Sequence, residues 1–383
     1  MNEGLREGIG QVAFVDHHVH APYKRAHEIS LDDFRRPFTE ASIPAVWIEN
    51  IPTLIGYQWM VRELARLLHC AATEDAVLAA RNGMAVVPYH RLLADAANLG
   101  SCYDDDLFAA GQCYPIAVWS EMIRRPVERV LRVETFMEQG YATCATLDDA
   151  LERLTQEITS PARRIVSLKS IAAYRTGLAF DPPSAAQRHQ AAEAYGERRD
   201  AALRGETGRI ATKALVDTIV WTALEAAAPQ ALPMQFHVAF GDDDIIMTQN
   251  DPTLMRALFT HAPFRAVPLV LLHCYPFHRQ AAYLACTYPN VYADLGLTIP
   301  IVGPGAATVL AETLELCPTR QLLASTDGHM EPEFQWFAIF VWRWALARVL
   351  SQYVEWDILG VDTARDTAHA ILHDNATRVY QTD

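Results

Sequence analysis

The sequence is short of the features that would place it at a nucleic acid, in a membrane or in an oxidising compartment. Lys and Arg number 32 against 46 Asp and Glu, for a formal net charge of −14. No Lys/Arg-rich block interrupts that acidic background, so a polyanionic nucleic acid or an anionic bilayer surface is an electrostatically poor partner. No uninterrupted apolar stretch reaches spanning length; the nearest, "FAIFVWRWALARVL", holds two arginines and reads as a buried helix. The opening "MNEGLREGIGQ" has neither the basic start nor the apolar run of a secretory signal. The seven cysteines, Cys70, Cys102, Cys113, Cys144, Cys274, Cys286 and Cys317, are odd in number and form no CxxC pair, so they are expected to be reduced and mostly buried. Linkers rich in Gly/Ser or Pro and short repeats are missing too. These absences predict a cytoplasmic protein of one domain over residues 1–383, acting on a small molecule.

What is present is a regular alternation. Hydrophobic residues make up 51% of the chain and charged ones 20%, enough for a large globular core. From about residue 160, short β-rich runs alternate with helical patterns: "RRIVSLKS", "LPMQFHV", "VPLVLLHCY", "NVYADLGL" and "QLLASTD" are separated by stretches rich in Ala, Leu, Glu and Arg. With "VAFVDHHVH", "LGSCYDDD" and "VERVLRVET" before them, strands are expected to open at about residues 12, 99, 127, 164, 233, 268, 291 and 321. Eight β/α repeats predict an α/β protein, a (β/α)8 TIM barrel closed around a parallel sheet. The first 160 residues are less regular, and a largely helical insertion after the first strand, at about residues 45–97, accounts for the excess length.

In such a barrel the reactive groups sit at the C-terminal ends of the strands. The first strand ends in Asp16, His17, His18 and His20, which packing alone does not explain. Four more strands end in a group able to ligate a metal or transfer a proton: Lys169 after "RRIVSL", His237 after "LPMQF", His273 after "VPLVLL" and Asp327 after "QLLAST". A single histidine at a strand end is commonly a hydrogen-bonded structural residue; five strand ends of this kind together point to a site. Strand alternation puts His18 and His20 on one face, able to share an ion, and His17 on the other, as a structural residue. By the same alternation Asp16 shares the ligand face one pair deeper, where it would orient an imidazole. Neutral imidazole and carboxylate suit zinc, or manganese or iron.

The ordered set "DHHVH", "LKS", "FH", "LLHCYP" and "STD" resembles the amidohydrolase superfamily of metal-dependent hydrolases. "LKSIAAYRTGL", "HCYPFHRQAAYLACTYPNVYADLGL" and "HDNATRVY" resemble its amidohydrolase-related (family 2) branch, also found fused to glutamine-synthetase-like domains; the likeness spans nearly the whole chain. It implies an enzyme that cleaves a C–N (amide) bond of a small polar substrate, carboxylate-bearing or γ-glutamyl amides being one class, by attack of metal-activated water. It implies His18, His20 and Asp327 as ligands of the first metal, with Asp327 also taking the proton of the water and returning it to the departing amine. His237 and His273 would complete a second metal site or, in one-metal members, bind the metal or contact the substrate, giving His273 a catalytic part. Lys169 would bridge two ions as a carbamate; unmodified, its ammonium would bind a substrate carboxylate. Tyr174 and Arg175, just past Lys169, and Glu134 at the end of the third strand are expected at the substrate rim, with Asp104, Asp105 and Asp106 near them. His278 and His329 lie near the opening and read as incidental. Relatives with a similar set include mononuclear decarboxylases of small organic acids, an alternative that Lys169 argues against, and a non-catalytic binding protein is disfavoured by the intact ligand set. Helices on the outside of such barrels often pair, which makes a homodimer the oligomer to look for.

Overall fold

The computed structural model describes residues 2–25 and 28–382. Eight parallel strands follow one another around the sheet in sequence order: β1 (Phe14–Val19), β2 (Leu99–Asp105), β3 (Val127–Arg132), β4 (Ile165–Ser170), β5 (Met234–His237), β6 (Leu269–Leu272), β7 (Val291–Asp294) and β8 (Leu322–Leu323). All eight expected strands are found. The short β8 is extended by the segment that follows it, which meets β1 again: Asp327 N–H donates to His18 O (3.1 Å) and His20 N–H to Gly328 O (2.7 Å). That contact brings the first and last strand ends together and makes the fold a TIM barrel.

These strands form because their runs of Val, Ile and Leu are buried on both faces, as a parallel sheet under helices requires. Phe14, Leu131, Leu168, Phe236, Leu271 and Ala293 pack outward into the large core shared with the helices. Val15, Tyr103, Val130, Val270, Leu272 and Leu323, drawn from strands all around the sheet, make a second cluster with Tyr380. Only the inside of the barrel can bring such residues together. Tyr380 ends the helix Asn375–Tyr380, and its hydroxyl contacts His17 Nδ1 (3.0 Å) and Gln235 Nε2 (2.9 Å), so the chain's last helix helps fill the barrel below the strand ends.

Between β1 and β2 lie the helices Leu31–Arg35, Ile55–Leu67, Glu74–Asn82 and Val86–Ala96. The irregular part of this region starts earlier than expected: the short turns Arg36–Phe38, Val46–Asn50 and Ile51–Thr53 follow directly on a helix capped by Ser30, whose Oγ accepts from Asp33 N–H. The "FAIFVWRWALARVL" run lies within the largely buried helix Pro332–Glu355, as expected. Among the described residues no helix is long and apolar enough to cross a membrane. Arg81 and Arg25 tie the post-β1 region to the post-β8 loop through Glu331, at 3.0 and 2.7 Å.

Candidate metal centre and active site

Strict alternation fails in β1, and the failure decides what its histidines do. Asp16 pairs with Cys102 and Val19 with Asp104, so three steps on β1 answer two on β2. This is the signature of a β-bulge, which re-aims side chains. His17 therefore lies inside the barrel, against Tyr380 and Asp294 Oδ2 (3.2 Å), while His18 is also at the site. The expected structural role of His17 agrees with these contacts, although it does not face away from His18 as alternation implies. Asp16 does not orient an imidazole. It accepts from Thr326 N–H (2.9 Å), Thr326 Oγ1 (2.5 Å) and Gln335 Nε2 (2.8 Å), fastening β1 to the segment carrying Asp327.

His18 Nε2 and His20 Nε2 stand 3.1 and 3.3 Å from one oxygen, Oδ1 of Asp327. That oxygen is buried and makes no hydrogen bond of its own, and neither imidazole Nδ1 has a partner. The three ligand atoms lie within 4.8 Å of one another. Two imidazole lone pairs and a carboxylate converging in a buried place fit a divalent cation. Burial, with Lys169 beside it, lowers the His18 pKa to about 4, and burial lowers that of His20, so both imidazoles are neutral and available as ligands. Burial alone would raise the Asp327 carboxyl, but the imidazoles of His273, His18 and His20 around it hold it well below the usual range.

Asp327 and His273 both have a left-handed backbone, φ +52° and +70°, a conformation costing a side-chain-bearing residue about 1–2 kcal/mol. In each case it turns the chain sharply at the strand end. Asp294 holds this turn together: its carboxylate accepts from His273 N–H (3.2 Å), Gly296 N–H (2.9 Å) and Ser325 N–H (3.0 Å). Gly296 is required here, because a Cβ would come within 2.3 Å of Ser325 Oγ and 2.9 Å of Asp294 Oδ1. Gly296→Ala is accordingly expected to lower the melting temperature by several degrees and to reduce metal occupancy, read by thermal unfolding and elemental analysis; an unchanged melting temperature would contradict this packing.

Hydrogen bonds assign the tautomers of the other histidines. His237 Nε2 faces Phe240 O at 3.0 Å and so carries the proton, leaving a lone pair on Nδ1 that accepts from Tyr174 Oη at 3.2 Å. His273 is the reverse. Leu297 N–H donates to its Nδ1 (3.2 Å), so the proton sits on Nε2, 3.7 Å from Asp327 Oδ2. His273 therefore offers a donor where a metal ligand needs a lone pair, while His18, His20 and Asp327 suit one ion, and His237 Nδ1 is engaged by Tyr174. Lys169 Nζ is 3.3 Å from His18 Nε2; burial lowers its pKa from 10.5 to about 8.

His18, His20, Lys169, His237 and Asp327 floor an open cavity of about 340 Å³, with His273 fully buried beside Asp327. Tyr174 and Arg175 line it, as expected. Tyr174 lies against Gly241, where a Cβ would fall 2.4 Å from its hydroxyl. The Arg175 side chain is 6% exposed, with its best carboxylate neighbour, Glu138, 3.7 Å away, and its Nε and Nη1 have no partner. Glu134 corrects the expectation: it is wholly buried and accepts from Ser170 Oγ (2.6 Å) and Ile171 N–H (3.2 Å), bracing the loop after β4 rather than facing substrate. The aspartates at the end of β2 are also taken. Asp104 accepts from Ala21 N–H, Asp105 pairs with Arg132 at 2.6 Å, and Asp106 with Arg129 at 2.7 Å. His278 is bonded to Glu312 (2.7 Å), but His329 lines the cavity and is not incidental. Arg36, Glu40 and Asp242 are among the further residues that line it; they fall in irregular loops with no periodicity or motif to single them out.

Comparison with known proteins gives this geometry a context. A family model described as Amidohydrolase matches residues 171–382. Among curated proteins, Protein fluG of Emericella nidulans is 28% identical over 415 residues, an alignment covering 98% of this chain and 46% of fluG. The chain thus spans about half the length of that relative. Among solved structures, a candidate metal-dependent hydrolase from Lactobacillus casei superposes with a TM-score of 0.87 at 26% identity, covering 98% of this chain and 97% of that one. A uronate isomerase from Thermotoga maritima superposes with a TM-score of 0.68 at 12% identity, covering 98% and 96%, a likeness of fold alone.

Proposed function

This chain belongs to the amidohydrolase family, and from that premise we propose that it hydrolyses a C–N bond in a small carboxylate-bearing amide with one divalent ion, zinc in the first instance. Manganese and iron accept the same donors. The observation that carries this reading is the convergence of His18, His20 and the unpartnered Asp327 Oδ1. A bound ion would acidify water toward a pKa of about 7 and polarise the substrate carbonyl. Asp327, ionised and beside the ligand nitrogens, accepts the proton of the attacking water and passes it to the departing nitrogen. The Lys169 amine donates to the carbonyl oxygen as negative charge gathers there, and His273 Nε2–H, 3.7 Å from Asp327 Oδ2, takes its part through the proton-accepting carboxylate. The unpartnered N–H groups of Arg175 take the substrate carboxylate. Arg175→Gln is expected to raise KM at least tenfold with little change in kcat, in steady-state kinetics on the metal-loaded enzyme.

Metal analysis tests the one-ion reading: one equivalent of zinc per chain, with no dependence on bicarbonate, is expected. Two equivalents together with a carbamate carbon signal on Lys169 would replace it with the two-ion form, in which the modified lysine bridges. Decarboxylation remains the second reading, favoured by the same single-ion set and the same carboxylate-binding arginine. Paired assays of amine and CO2 release on small amides and small organic acids separate the two; CO2 without amine would sink hydrolysis.

A further inference from the structure

One part of the cavity wall brings two acceptors together, and one of them, His329 Nε2, has no hydrogen-bond partner. His329 Nδ1 lies 2.7 Å from Asp327 O. A carbonyl only accepts, so Nδ1 carries the proton and Nε2 presents a lone pair. That nitrogen is buried and has no hydrogen-bond partner, in a side chain that is 4% exposed and belongs to a residue lining the cavity. The nearest carboxylate is Glu40 Oε1 at 3.8 Å, delivered by the irregular segment after β1. Two acceptors thus face each other across a gap too wide for a direct hydrogen bond, with Asp327 close enough for one atom of each to lie within 4.8 Å. Around Glu40, the carboxylates of Asp327 and Asp242 add negative potential, against the single guanidinium of Arg36.

We propose that Glu40 and His329 Nε2 form a specificity site for an ammonium group of the substrate, so that the cavity takes amino-acid-like zwitterions rather than simple carboxylates. This rests on the reading of Arg175 as the carboxylate site. An ammonium has three donors and no acceptor; it can reach both Glu40 and His329 at once, which a carboxylate or hydroxyl cannot do without leaving an acceptor facing an acceptor. Arg175 lies in a different charge neighbourhood, its main electrostatic neighbours being Glu138, Glu134, Arg209 and Arg132, none of which is a main neighbour of Glu40. The cavity therefore has separate poles for the two charges of one ligand. Glu40 enters from the irregular segment after β1, His329 from the loop after β8 and Arg175 from the loop after β4, so substrate choice is assembled from three separate loops.

Binding measured by calorimetry on the zinc-loaded full chain tests this without turnover. The probes are two pairs that differ by one ammonium: L-glutamate with glutarate, and L-norvaline with pentanoate. Wild-type protein is expected to bind the amino member of each pair at least tenfold more tightly, the scale of one charge-assisted hydrogen bond. Glu40→Gln and His329→Phe should each erase most of that preference while leaving glutarate and pentanoate binding unchanged; Arg175→Gln should weaken all four. Equal binding within both pairs, binding of none of the four, or a loss in Glu40→Gln that is the same for both members overturns the proposal. So does a second equivalent of zinc that disappears in Glu40→Gln, which would make these residues metal ligands. Selective binding of the amino members without amide hydrolysis would leave this site standing and remove only the reaction assigned above.

Discussion

Replacing Asp327 with Asn is expected to cut kcat by between about a hundredfold and ten-thousandfold at saturating zinc, the range for loss of a proton-transferring group. The backbone tolerates the change well, since Asn is among the few residues that take up a left-handed conformation readily and φ at this position is +52°. The amide keeps an oxygen for the ion but has no basic oxygen to accept a proton. Zinc affinity should fall as well, because a neutral ligand replaces the one carboxylate facing His18 and His20. The two effects are separable: kcat measured as a function of added zinc reaches a plateau that reports proton transfer alone. A plateau within tenfold of wild type would remove Asp327 from that role, and unchanged zinc affinity would remove it from the ligand set.

The second large effect concerns stability. Lys169 is buried at the centre of the site, where desolvation lowers its pKa from 10.5 to about 8. Below pH 8 the native and unfolded chains both hold the proton, and the native state bears the full cost of the buried charge. Between pH 8 and 10.5 the native state has released it while the unfolded chain retains it. The unfolded state then binds more protons, so the Lys169 contribution becomes less unfavourable as pH rises. The whole swing is roughly 3 kcal/mol. Lys169→Met keeps the length of the side chain without its charge. In metal-free protein and CO2-free buffer, the variant is expected to be the more stable at pH 7 and to lose that advantage by pH 10.5, followed by urea unfolding at both pH values. A stability difference that does not change between them would mean that the lysine is not held as a buried, unmodified amine. The variant should also be deeply impaired in turnover, since a donor to the carbonyl oxygen is gone.

Much of the site was legible because barrel strands end where apolar runs end. His18, His20, Lys169, His237, His273 and Asp327 each interrupt such a run, and each is found at the mouth of the barrel. The reading went wrong where backbone departs from regular geometry. The β1 bulge places His17 and His18 together at the barrel interior and leaves Asp16 bound to Thr326 and Gln335, which no period of two can anticipate. Glu134 was placed at the rim from its position at the end of β3, but its carboxylate turns toward Ser170 and Ile171. Nothing in a linear pattern marks Glu40 or Asp242.

The sequence alone determined the architecture and pointed to a metal-dependent site, because hydrophobic alternation is a local property and five strand ends carrying ligand-type residues together, unlike one alone, exceed what structural histidines explain. Tertiary structure decided which donors face one another at the site. Their roles depend on which nitrogen of each imidazole carries its proton. That in turn is set by single contacts, Leu297 N–H to His273, Phe240 O to His237 and Asp327 O to His329. The first of these joins the loops after β6 and β7, which only the folded barrel brings together; the other two close within single loops, three and two residues apart, through local turns that no hydrophobic pattern marks.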